Sequence, residues 1–169
     1  MTYVFRRDPD DAMASFFNHV RHVHKGELNA DREFRLALIS LVEVYTQAAQ
    51  IDPARLQQFR RESGEALASF GNRVAAYLLK TVFLAEDARE DEWYELAMRR
   101  SVIQLLSDEY VGTRVAAQID PAEVAELDAE LRRVGKEQGP VPEPYVPKSL
   151  PGSHWWWHFP PHQELTGPA

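Results

Sequence analysis

Apolar residues recur every three or four positions through most of residues 8–138, the period that gathers them on one face of an α-helix. Ala12, Phe16 and Val20, flanked by Met13, Phe17 and Val23, make the first stripe. Asp8-Pro9 opens it with a side-chain acceptor at the N-cap and proline at the first helical position, and Gly26 is placed to end it. A second helix is expected from Asn29 or Asp31, with Phe34, Leu38, Leu41, Tyr45 and Ala48 facing inwards. Asp52-Pro53 starts a third, which the pattern carries through to Glu86, about 35 residues or ~50 Å. A helix of that length invites a break, expected near Ser63-Gly64. The fourth follows the acidic run Glu86–Glu92, its buried face marked by Trp93, Leu96, Ile103, Leu106 and Tyr110, with Gly112 as a bend. Asp120-Pro121 opens the fifth, whose narrow stripe of Val124, Leu127, Leu131 and Val134 predicts a helix covered on one side only.

The stretch Glu65–Glu86 is apolar on more than one face. Leu67, Phe70, Val74, Tyr77 and Leu84 form one stripe, and Ala75, Leu79, Val82 and Phe83 fill most of a second. Such a segment is expected in the middle of a packed domain, with neighbours on several sides. Asn72, Arg73 and Lys80 interrupt it, so it falls short of the roughly 20 apolar residues a membrane span needs. One heptapeptide, AAQIDPA, occurs at 48–54 and again at 116–122. Both copies read as the same helix corner, with isoleucine before a capped start as a hydrophobic staple. Tyr3, Val4 and Phe5 ahead of the first helix suit a strand or an extended arm.

The expected architecture is therefore all-α: roughly five helices in a mostly antiparallel bundle over residues 1–138, followed by an extended arm over 139–169. The arm holds eight of the eleven prolines and three of the four tryptophans. Proline excludes regular helix over most of it, and Pro140–Pro151 reads as extended, polyproline-like chain. Flexible linkers and disordered segments are poor in aromatic residues. Trp155, Trp156, Trp157 and Phe159, with Tyr145 upstream, are therefore expected to dock on a surface, each indole removing on the order of 150–250 Å² from water.

Composition narrows the function classes. The 169 residues suit one domain, with 44% hydrophobic and 27% charged residues as in an ordinary globular protein. There is no cysteine, hence no disulfide and no thiolate chemistry. The N-terminal residues contain no apolar signal-peptide core, so a cytoplasmic location is the default expectation. Net charge is −7, and an acidic chain without a basic stripe is ill suited to neutralising phosphates, so no nucleic-acid partner is expected. The pairs Arg6-Arg7, Arg60-Arg61, Arg99-Arg100 and Arg132-Arg133 sit among carboxylates and read as solvated helix faces.

No phosphate-binding glycine loop, nucleophile elbow or His-Glu-x-x-His pair is present. The histidines fall in two groups. His19, His22 and His24 end the first helix, and His154, His158 and His162 recur every four residues around the tryptophans. If the arm folded over the first helix, His19, His22, His154, His158 and His162 would make an imidazole site for zinc or a similar metal. Capping of a helix C-terminus by the first group and aromatic docking by the second are the simpler accounts, and no cofactor is expected. Tyr45, Tyr77 and Tyr110 lie on apolar stripes and read as core. The leading expectation is a non-enzymatic interaction module, an adaptor, assembly factor or inhibitor whose aromatic arm holds a protein partner or a second copy. Two alternatives stand beside it: a small helical metal-binding protein or enzyme, and an arm that merely completes the core.

Overall fold

The computed structural model describes residues 7–25, 28–89 and 92–161. Among them the chain is all-helical and has no strands, with six helices rather than five. These are α1 (Pro9–His24), α2 (Ala30–Tyr45), α3 (Pro53–Ala68), α4 (Arg73–Glu86), α5 (Trp93–Glu109) and α6 (Pro121–Gln138). The patch Tyr3–Phe5 and the terminator Gly26 lie outside the described residues.

The three Asp-Pro starts form as their chemistry dictates. Asp8 accepts from the Asp11 N–H, Asp52 from Arg55 and Asp120 from Ala122, each with proline in the first turn. Both AAQIDPA segments fold alike. Ala48–Gln50 and Ala116–Gln118 are single 3-10 turns, and the aspartate two residues further on caps the next helix.

The sixth helix arises because the long third segment breaks. The break falls at Ser69–Asn72, where Gly71 adopts φ +64°, and not at Ser63-Gly64. A positive φ is nearly free for glycine and strained for other residues. Gly64 stays inside α3 for a different reason: a Cβ there would sit 3.2 Å from the Tyr110 ring. The Tyr110 hydroxyl meets Ser63 Oγ at 2.7 Å and accepts from the Tyr45 hydroxyl at 3.0 Å, tying α2, α3 and the end of α5 together. Burial pushes the Tyr110 phenol well above its ordinary range, so it stays protonated.

Packing is closest between α1 and α2, and α6 lies mainly on α4. Glu43 of α2 is buried and held by Arg7, which donates from its backbone N–H at 2.9 Å and from Nε at 2.7 Å. The expectation that Glu65–Glu86 is enclosed on several sides fails for α4. Leu67, Val74, Leu78 and Val82 are buried, whereas Leu79 and Phe83 are 43% and 57% exposed and Leu84 is partly so. Among the described residues no helix is long and apolar enough to cross a membrane.

Candidate functional site

The arm lies against α5 and α6. Trp156 and Trp157 are fully buried, and both indole N–H groups donate to one atom, Ser101 Oγ of α5, at 3.0 and 2.9 Å. His154 is buried beside them, its Nδ1 3.0 Å from the same oxygen, its ring stacked on Trp156 at 4.7 Å. The Arg100 guanidinium also lies over the Trp156 ring, at 4.3 Å. Arg100 is held by Asp128 of α6 through Nε at 2.6 Å and Nη2 at 3.3 Å. Trp155 is half-buried under Arg132 at 4.3 Å. Phe159 packs where α6 presents Gly135: a Cβ there would meet the Phe159 ring and its carbonyl oxygen, each at 2.9 Å. Tyr145 is exposed and stacks on Tyr94 at 6.2 Å. Within 140–151 the chain turns at Glu143–Tyr145 and is not uniformly extended.

The two histidine groups have separate surroundings. His19 Nδ1 meets Glu33 of α2 at 2.6 Å, and that hydrogen bond lowers the Glu33 carboxyl. His22 meets its own helix at the Asn18 carbonyl oxygen, and His24 packs at a tilt on Phe70, ring centroids 4.5 Å apart. His154 faces Ser101 on α5, His158 is exposed, and His162 lies outside the described residues. No group of three or more metal-ligating side chains comes together among the described residues.

Arg99 and Arg100 overturn the reading of a solvated pair, since each is only 4% exposed. Neighbouring helix residues diverge by about 100°, so Arg100 turns under the arm and Arg99 turns towards a cleft between α2, α4 and α5. Arg99 donates from Nε to Thr81 Oγ1 at 2.9 Å and from Nη2 to the Tyr77 carbonyl at 3.3 Å, with its guanidinium 4.0 Å from the Tyr77 ring centroid. One edge of the fork is thereby fixed on α4. The other edge, with Nη1, has no hydrogen-bond partner and no carboxylate among the described residues, and Arg99 lines the cleft. The free edge opens onto the cleft, where an anion could take the place of water as its counter-charge.

The cleft holds about 360 Å³. Arg32, Arg35, Arg73 and Lys80 join Arg99 in its lining, against Asp31, Glu92 and Glu95. Asp31 is engaged by Arg73 at 2.7 Å and Glu95 by Arg35 at 3.2 Å. A local cationic excess therefore sits in a chain of net charge −7. Phe34, Leu84, Leu96 and the Tyr77 ring supply apolar walls. Tyr77 is largely buried, its hydroxyl opens onto the cleft without a hydrogen-bond partner among the described residues, and burial raises its pKa. One signal for this site was present in the sequence. Arg99 and Arg100 fall three and four residues after Leu96 and before Ile103, inside the apolar stripe of α5, where a solvated cation has no place.

Comparison with known proteins adds no relative: no protein-family model, no curated protein and no solved structure matches this chain.

Proposed function

We propose that this chain is a non-enzymatic binding protein whose working site is the α2–α4–α5 cleft, taking a small anionic ligand, and that its Pro/Trp arm is an internal brace. The observation that carries the reading is the buried Arg99 guanidinium, clamped along one edge and unopposed along the other. Such a fork is already oriented for a bidentate acid group, so little entropy is lost on binding. This differs from an arm that holds a partner, because Trp156 and Trp157, the anchors such an arm would use, are buried on α5.

Thermal melting against a panel of anions tests the reading, with chloride at matched ionic strength as the reference. A ligand at one hundred times its Kd stabilises by ~2.7 kcal/mol, about 5–10 °C in Tm for a chain of this size. If no anion in the panel raises Tm above the chloride reference, the reading fails.

A further inference from the structure

Resting on that reading, we infer that the ligand is a small monocarboxylate with an apolar body, an aromatic or short aliphatic acid, and not a phosphate. The free edge of Arg99 is a planar pair of N–H donors, which matches the two oxygens of a carboxylate as well as it matches phosphate. The rest of the cleft separates the two. Glu92 and Glu95 line it, and Glu95 leaves Arg35 only partly available. With Asp31 and Glu95 already engaging Arg73 and Arg35, a dianion finds fewer open cations beside the Arg99 fork than the lining alone offers. Phosphate sites also draw on backbone N–H groups at glycine-rich turns, and no glycine lines this cleft.

The apolar walls argue in the same direction. Phe34 and Leu96 are buried, and with the Tyr77 ring and Leu84 they offer the acid's body a place out of water. A volume of about 360 Å³ is at the small end of ligand sites, which run roughly 300–1,000 Å³. The unpartnered Tyr77 hydroxyl in the same lining is a donor for a carboxylate oxygen. An arginine fork, a phenol and an apolar wall together read an amphipathic acid.

Isothermal titration of the full chain at pH 7 with benzoate, octanoate, benzamide, phenyl phosphate and inorganic phosphate decides it. The expected result is one-to-one binding of benzoate or octanoate, with benzamide and both phosphates at least tenfold weaker. Arg99→Gln should weaken the acid at least tenfold. Because that change also removes the clamp on Thr81, Tyr77→Phe is measured beside it: it deletes only the unpartnered hydroxyl, and a severalfold loss at unchanged Tm is expected. Binding of benzamide equal to benzoate overturns the inference, as does undiminished binding by both variants. If phenyl phosphate or inorganic phosphate binds tenfold tighter than either acid, the anionic site stands and the carboxylate assignment falls. If none of the five binds, both fall.

Discussion

Ser101 Oγ is saturated. Two indole N–H groups use its acceptor positions, so its own hydrogen goes to His154 Nδ1, which fixes His154 as the neutral Nε2–H tautomer. Protonating that ring would place an Nδ1–H against an oxygen with no lone pair left. Burial, followed by the nearby Arg100 charge, accordingly lowers the His154 pKa from 6.5 to about 4. The fold favours the neutral ring, so its stabilising contribution is complete above pH 6.5 and is lost as pH falls towards about 4. Unfolding free energies of wild type and His154→Asn, measured from pH 7 to pH 4, should converge by about 3 kcal/mol over that window. The variant comparison subtracts the carboxylates that titrate in the same range. Ser101→Ala leaves three buried polar groups without their partner, and denaturant unfolding should show a loss of about 2–4 kcal/mol. A loss under 1 kcal/mol would mean that the arm does not depend on this oxygen.

At the level of elements, the arm is bound to α5 and α6 by aromatic and cationic contacts that no other segment replaces. A chain ending at Gly139 would uncover the slot of Arg100, Ser101 and Gly135, and its Tm should drop by well over 10 °C, since Trp156 and Trp157 are each worth several kcal/mol of burial. An unchanged Tm would dismiss the brace. Gly135→Ala sets two effects against each other. Alanine gains about 1 kcal/mol in helix propensity, but the new methyl would lie 2.9 Å from the Phe159 backbone oxygen, which must move. Overpacking of that kind costs about 1–3 kcal/mol, so the variant should be net destabilised, read as a lower denaturation midpoint. The same duality of glycine explains what the sequence could and could not show. The Asp-Pro starts and both AAQIDPA corners were legible, because each is decided within a few residues. The break in the third segment was misplaced, because Gly64 serves a close approach by Tyr110 and Gly71 serves a positive φ, and a one-dimensional pattern holds nothing that separates those uses. Leu79 and Phe83 likewise continue a stripe whose facing partner simply is not there among the described residues.

For the molecule as a whole, net charge was a poor guide to the site. The −7 of the chain describes its solvated faces, while the cleft gathers cations from α2, α4 and α5 that lie far apart in sequence. Only the interruption of the α5 stripe hinted at Arg99; the matching contributions of Arg35 and Lys80 depend on helix packing. Lys80 is exposed at this cleft and has no ion pair among the described residues. Lys80→Glu should weaken the bound acid severalfold and make the remaining affinity less sensitive to salt, with stability changed by no more than about 0.5 kcal/mol. Titration at low and high ionic strength checks both parts, and an unaltered affinity would remove Lys80 from the electrostatics of the cleft.

The four tryptophans occupy three kinds of surroundings. Trp156 and Trp157 share one acceptor, Trp155 lies under a guanidinium, and Trp93 is buried with an indole N–H that has no partner among the described residues. In a nitrogen-edited proton spectrum, the side-chain signals of this chain therefore form a built-in gauge. Two downfield, slowly exchanging resonances report the joint at Ser101, a third follows the rim of the arm, and the fourth reads the start of α5. Partial release of the brace would shift the first two and leave the last in place, long before any change in helix content became visible.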